Sequence, residues 1–341
     1  MARITTFGEL MLRLRAPGHE RLGQSATLEA SFGGGEANVA VSLAALGHES
    51  RWVSAVPPGP IGDWALAELR RHGVDVGEVL RRGRRLGLYF LEVGASQRPS
   101  QVIYDRAGSA ASELGAGDVA WARVLEGSAW LHTTGITPAL SATAAAATLE
   151  ALETARRLGI ATSVDLNYRS RLWSPAAARE VLTAALANVD LLITNEEDAE
   201  LVFGIRAPAS DVARGDLQPA RYLDVAGELL GRFSALSAVA VTLRESHGAT
   251  RNGWSGLLVE RAGHAFARRY EIDVVDRIGA GDAFAAGLIH ARLAGMGTAE
   301  AVEFAAAAGA LKHTIVGDFN LASAAEIAAL VAGDASGRVR R

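Results

Sequence analysis

The residues with the plainest chemical promise are Gly279, Ala280, Gly281 and Asp282, set in the run VVDRIGAGDAFAAGLIHARLAG from 274 to 295. Glycines at 279 and 281 let the backbone turn several N–H groups toward one point. The apolar run behind them reads as a buried helix whose dipole adds positive potential there. Such a turn is an anion site. Asp282 is a poor resting partner for a phosphate, because like charges repel. As a general base it would take a proton from a hydroxyl while the amides and the dipole stabilise charge on a transferring phosphoryl group. The plain alternative is an aspartate capping a helix after a glycine turn.

A second glycine turn, SFGGGEANVA (31 to 40), precedes a helix starting near Glu36, and Asn38 offers a two-way hydrogen-bonding amide from its first turn. It reads equally as an ordinary loop or hinge. The acidic cluster TNEEDAE (194 to 200) follows a strand, where α/β proteins place ligands, and could hold a hydrated Mg²⁺ or be the acid-rich first turn of a surface helix. DLNYR (165 to 169) also ends a strand with polar residues. Other nucleotide motifs fail: G-x-G-x-x-G breaks at Phe284, and no G-x-x-x-x-G-K-[ST], H-E-x-x-H or G-x-S-x-G occurs. Lys312 is the only lysine among 34 basic residues Lys+Arg, so phosphate would be handled by backbone amides and arginine.

These residues need a scaffold, and the chain supplies an α/β pattern. Strand-like runs at 4 to 7, 51 to 56, 129 to 135, 160 to 166, 189 to 195 and 238 to 243 alternate with helical stretches near 36 to 46, 63 to 72, 141 to 158, 175 to 187 and 221 to 233. After residue 281 the pattern is nearly all helix. Such alternation indicates a mostly parallel central sheet flanked by helices. LGLYFLEVG (86 to 94) and QVIYDRA (101 to 107) interrupt it as an antiparallel hairpin. Tyr89, Leu91 and Val93 share one face of its first strand, and Val102, Tyr104 and Arg106 one face of its second. That hairpin is either a lid over a polar ligand or an edge with aromatic cross-strand pairs.

With 341 residues, 49% hydrophobic and 21% charged, the chain is globular and has room for one large domain. The absence of cysteine excludes disulfides, thiolate nucleophiles and cysteine-ligated metals. A net charge of −4 leaves no footprint for nucleic acid, and the basic cluster RRGRR (81 to 85) reads as a solvated turn. No apolar run is long enough to span a membrane and no signal-peptide core opens the chain, so a soluble cytoplasmic protein is expected.

In combination these motifs resemble the ribokinase-like (PfkB) carbohydrate kinases, from FGELMLRL (7 to 14) through GGGEANVA, GASQRPSQVIYDRA, GITPAL (135 to 140), DLNYR, NEEDAE, TLRESHG (242 to 248), DRIGAGDAFAAG and GDFN, nearly the full length and in the family's order. They are most similar to the branch acting on 2-keto-3-deoxygluconate. The resemblance implies a single ribokinase-like domain over 1–335, with lid segments near 10–32 and 86–107 and a flexible tail at 336–341. It implies phosphorylation of 2-keto-3-deoxygluconate to 2-keto-3-deoxy-6-phosphogluconate with ATP and Mg²⁺; a monovalent cation is a further candidate cofactor, and a homo-oligomer, dimer or higher, is expected.

By the same resemblance Asp282 would be the base, and Gly279, Ala280 and Gly281 the anion hole. Gly34, Glu36, Asn38, Tyr89, Tyr104, Arg106 and Asp318 would hold the sugar acid. Asn167, Asn195, Thr242, Arg244 and Gly248 fall on the nucleotide side, Arg169 reaches either ligand, and Glu197 and Asp198 would meet Mg²⁺ indirectly. Two departures stand out: Asp198 where many relatives have glutamate, and Arg277 where many have threonine. Arg106 favours an acid substrate, since a carboxylate needs a charged partner. The alternatives are a kinase for fructose or another neutral sugar, a non-catalytic sugar-binding regulator, and an aldolase, for which only Lys312 could form the imine.

Overall fold

Side-chain parity along the short strands settles the architecture. In Leu191–Thr194, Leu191 and Ile193 enter one core and Leu192 the other; in Ala238–Ser246, Ala238 and Ala240 face the first core and Val239 and Val241 the second. Strands buried on both faces belong in a parallel sheet covered by helices. In the computed structural model, which describes residues 1–206 and 219–334, Glu49–Val53, Arg3–Phe7, Ser128–Thr134, Ala161–Asp165, Leu191–Thr194 and Ala238–Ser246 lie in that order, all parallel. Helices Gly35–Ala45, Ala280–Leu293 and Thr298–Lys312 cover one face, and Ala142–Arg157, Pro175–Leu186 and Pro219–Arg232 the other. The segment 336–341, expected as a tail, lies outside the described residues.

The sheet then continues with three strands that the sequence pattern does not announce. Arg251–Glu260 runs antiparallel to Ala238–Ser246 and carries Gly263–Phe266 and Tyr270–Asp273 on its other edge. Glycines in RNGWSGLLVE dilute the strand signal. Gly256 is needed there, because a Cβ would stand 2.6 Å from the Phe284 ring. The run at 51 to 56 also divides: Glu49–Val53 joins the central sheet, while Ala55–Val56 pairs with Leu80–Arg81.

A second sheet of four strands stands across from the carboxyl ends of the first, in the order Glu29–Gly33, Met11–Arg15, Gly87–Glu92 and Gln101–Asp105. Its hairpin pairs Tyr89 with Tyr104 and Leu91 with Val102, and Arg13 lies in register beside Tyr89. Arg13, Tyr89 and Tyr104 therefore form one row across three strands. On the opposite face Leu12 and Phe32 pack into a core with Trp52 and Leu69. In the RRGRR cluster three of the four arginines are spent on ion pairs: Arg81 with Asp63, Arg82 with Asp118 and Arg85 with Asp105.

Candidate active site

Between the two sheets lies a cleft of about 550 Å³ at the carboxyl ends of the parallel strands, the place where open α/β sheets bind ligands. Helix Ala280–Leu293 points its N-terminus into it. Gly279 caps that helix at φ 83°, and a Cβ there would come 2.1 Å from the Asp318 carbonyl oxygen, so only glycine serves. Gly281 differs. A Cβ on it meets nothing within 4 Å, because this side of the turn faces the open cleft. The cradle a phosphate would fill is thus free of side chain.

Asp282, half-buried, sits in the first turn of this helix, and its Oδ2 accepts a hydrogen bond from Asn38 Nδ2 at 2.7 Å. Asn38 Oδ1 in turn accepts from the Gly34 N–H at 3.2 Å, which fixes the amide's orientation. Burial pushes the Asp282 carboxyl up to about 7; Asp318 and Glu36 add to this, while the Asn38 hydrogen bond and Arg169 oppose it. A carboxylate poised near neutrality can take a proton from a hydroxyl and keep useful occupancy of both forms.

The glycine run gives way to a different partner at each step. A Cβ on Gly33 would lie 1.9 Å from Asp318 Oδ2, and one on Gly34 2.0 Å from the Glu9 carbonyl oxygen. Helix Gly35–Ala45 starts here, and Glu36 from its first turn is buried. Glu36 Oε1 accepts from the Thr134 N–H at 2.9 Å and from the hydroxyls of Thr134 and Thr137 at 2.7 and 2.6 Å. Glu36 therefore lines the cleft while pinning the start of its helix to the end of strand Ser128–Thr134.

On the second sheet, Arg13 is a cation that no local sequence signal marks. Its guanidinium, 1% exposed, donates to Asp318 Oδ1 at 2.6 Å and to Asp276 Oδ2 at 2.5 Å. The Tyr89 hydroxyl donates to the same Asp318 oxygen at 2.6 Å. Burial raises the Asp318 carboxyl and the Tyr89 hydroxyl, and Arg13 opposes the rise at both. Tyr104, 40% exposed, stands at the mouth with the Arg106 guanidinium 5.4 Å from its ring centre. Arg106 pairs neither with Asp105 nor with Glu92; these bind Arg85 and Arg98. Its partner is buried Glu9, reached from Nε at 2.8 Å and also from Nη2. Glu9 belongs to the FGELMLRL run, but nothing local in that run shows its pairing.

The other end of the cleft gathers Asn167, Arg169, Asn195, Glu197, Asp198, Thr242 and Arg244. Gly248 does not line it; the turn beside Gly248 is tied to Ser96, whose carbonyl accepts from the Ala249 N–H at 2.7 Å. Asn167 takes φ 40°, a left-handed conformation that asparagine tolerates. Asn195 caps helix Glu196–Phe203 by accepting from the Asp198 N–H at 2.8 Å, and Asp198 Oδ2 accepts from Asn195 Nδ2 and the Tyr168 N–H. Burial pushes the Asp198 carboxyl up to about 6. Asp165, not singled out from the sequence, is raised well above its ordinary value by burial and then by the charges of Asp282 and Asp198.

Among the described residues, Arg244 and Arg277 make no hydrogen bond or ion pair, and Arg277 is lowered by burial and by the like charge of Arg244. Two unpaired guanidiniums beside a glycine turn suit a polyphosphate. No cluster of three or more His, Asp or Glu among the described residues is placed to hold a metal ion. The acids at Asp165, Glu197 and Asp198 instead fit a Mg²⁺ carried in on phosphate oxygens and water. Lys312 does not line the cleft, which removes the only lysine from imine chemistry.

A parallel sheet with a glycine-turn helix terminus, a near-neutral aspartate and a second sheet closing over them is the build of a phosphotransferase for small hydroxyl compounds. The chain belongs to the pfkB family of carbohydrate kinases, whose model, described as "pfkB family carbohydrate kinase", matches residues 1–321. It is 36% identical over 336 residues, 98% of each chain, to a 2-dehydro-3-deoxygalactonokinase of Haloferax volcanii. It is 31% identical over 319 residues to a 2-dehydro-3-deoxygluconokinase of Bacillus subtilis (strain 168), covering 92% of this chain and 90% of that one. The crystal structure of a 2-dehydro-3-deoxygluconokinase from Thermotoga maritima superposes with a TM-score of 0.94 at 44% identity, covering 98% of this chain and 100% of the other. No helix among the described residues is long and apolar enough to cross a membrane.

Proposed function

We propose that this sugar kinase phosphorylates the terminal hydroxyl of 2-keto-3-deoxygluconate with ATP, giving the 6-phosphate and ADP. One observation carries the mechanism: Asp282, raised to about 7, stands at a helix N-terminus in the cleft between a row of tyrosine and arginine on the lid and two unpaired arginines on the body. The substrate oxygen attacks the γ-phosphorus as its proton passes to Asp282. The new O–P bond forms while the bond to the β–γ bridging oxygen breaks, and ADP leaves with that electron pair. The N–H groups of the Gly279–Gly281 turn and the helix dipole meet the charge on the transferring group.

Gly34, Asn38, Tyr89, Tyr104, Arg106 and Asp318 face the sugar acid, with Glu36 setting the start of the helix that bears Asn38. Asn167, Asn195, Thr242, Arg244 and Arg277 face the nucleotide, with Gly248 in the turn behind them, and Arg169 lies between the two ligands. Mg²⁺ would screen the phosphates, held through water by Glu197 and Asp198. Dependence on a monovalent cation is read by assay in sodium, potassium and choline salts. The use of ATP supports a cytoplasmic location. Exposed Ile103 on the second sheet and Leu28 just before its strand Glu29–Gly33 support a homo-oligomer, to be read by light scattering.

The substrate is tested by an ADP-coupled assay across 2-keto-3-deoxygluconate, its C4 epimer of the galactonate series, and fructose. Both acids should outpace fructose. Fructose turning over as well as the acids would replace it with the neutral-sugar reading.

A further inference from the structure

Lys312 is the one lysine in a chain whose other basic residues are all arginine. It is the last residue of helix Thr298–Lys312 and has no solvent exposure. An ammonium so placed is costly unless its donors are met. Its Nζ lies 3.0 Å from the carbonyl oxygen of Ile315 and 3.5 Å from that of Asp276. These oxygens belong to the two loops that bear the chemistry: one leads from Asp276 into Gly279, the other from Ile315 into Asp318. The loops are stitched further by the N–H groups of Val275 and Asp276, which donate to the His313 carbonyl at 2.9 and 3.1 Å, and by the Gly317 N–H, which donates to Asp276 Oδ2 at 3.1 Å. Burial lowers the Lys312 ammonium from its ordinary value; the charges of Asp276, Asp318 and Asp282 oppose that fall, and Arg13 adds to it. A guanidinium, planar and larger, cannot replace a compact cation among carbonyl oxygens. Main-chain oxygens converging on one point are also what binds a small monovalent ion.

We propose that Lys312 is a positioning residue for phosphoryl transfer, a built-in cation whose ammonium joins the loops at 275–278 and 313–318, fixes the Gly279–Gly281 turn against Asp318, and frees the enzyme from any added monovalent ion. The inference rests on the kinase reading of the cleft.

The test compares the wild type, Lys312→Ala and Lys312→Met in sodium, potassium, ammonium and choline chlorides at one ionic strength. The wild type turns over at the same rate in all four. Both variants lose roughly 10²-fold in kcat/KM, the scale of misplacing a catalytic constellation. Ammonium or methylammonium restores much of the loss in Lys312→Ala, where the space is open, and none in Lys312→Met, whose stem fills it; choline restores neither. Stabilisation by ATP in a thermal melt follows the same pattern and needs no sugar, so a wrong sugar substrate is told apart from a wrong role for Lys312. The proposal is overturned by a wild type stimulated by potassium or ammonium, by a Lys312→Met protein with native turnover, or by a folded Lys312→Ala protein that no small cation restores. If the variants do not fold, the wild-type salt comparison still decides.

Discussion

Replacing Arg106 removes two interactions at once, and the structure shows how to separate them. Its guanidinium donates to Glu9, 2% exposed, which also accepts from the Ser109 hydroxyl. Leaving that carboxylate buried without its cation costs about 3–5 kcal/mol of stability. A charged hydrogen bond to a substrate carboxylate is worth about 1.5–3 kcal/mol, or roughly 10- to 150-fold in kcat/KM. The first loss lowers the amount of folded enzyme and harms every substrate alike; the second is confined to acids. The decisive variant is therefore Glu9→Gln with Arg106→Gln, in which two neutral amides can bond to each other and to Ser109. Its melting temperature should stay near that of the wild type while Arg106→Gln alone melts earlier. In the ADP-coupled assay it should lose roughly 10- to 150-fold for 2-keto-3-deoxygluconate and nothing for fructose. Equal proportional losses for the two sugars, in a double variant with native melting, would refute the carboxylate role and leave Arg106 as a counter-ion for Glu9.

Asp282→Asn keeps the Asn38 contact but cannot accept a proton, so kcat should fall roughly 10²–10⁴-fold with little change in KM; near-native turnover would remove Asp282 from the chemistry. In the wild type kcat/KM should rise with pH through about 7 and level off above it, and a profile flat from pH 5 to 8 would contradict the raised carboxyl. Because the folded-state value lies above the ordinary one of 3.8, the folded protein holds a proton that the unfolded chain has released, and stability falls as pH rises through that window. The melting advantage of Asp282→Asn over wild type should accordingly be larger at pH 8 than at pH 4. Gly281→Val should melt like the wild type and lose phosphoryl transfer, since its side chain enters only the cleft, whereas Gly279→Val should lose both activity and stability against the Asp318 carbonyl.

Local signals proved readable, and long-range ones did not. The parallel strands, the hairpin and the faces on which Tyr89 and Tyr104 stand follow from side-chain period, because each is decided within a few residues. The anion turn is legible only with its neighbours. GAGD occurs a second time, at 115 to 118, where Asp118 is an exposed turn residue accepting from the Gly115 N–H and pairing with Arg82. What distinguishes the turn at 279 is the long apolar helix behind it. Glu36 could be marked as polar beside a glycine turn, yet its threonine partners lie about a hundred residues away. Arg13 shows in MLRLR as a charge opposite two leucines, but nothing near it names Asp276 or Asp318.

That separation bears on how the protein is made. Strand Met11–Arg15 leaves the ribosome early, while the two carboxylates that neutralise Arg13 come 263 and 305 residues later. Until then Arg13 cannot be buried without a penalty of several kcal/mol, so this part of the second sheet is expected to dock only once the chain through Asp318 has emerged. A nascent chain halted after helix Ala280–Leu293 would already carry Asp282 and its glycine turn, but not the Asp318 carbonyl that packs on Gly279 or the carboxylate that holds Tyr89. Premature termination should therefore yield a product unable to spend ATP, and the capacity for turnover should arrive in one step, late in translation.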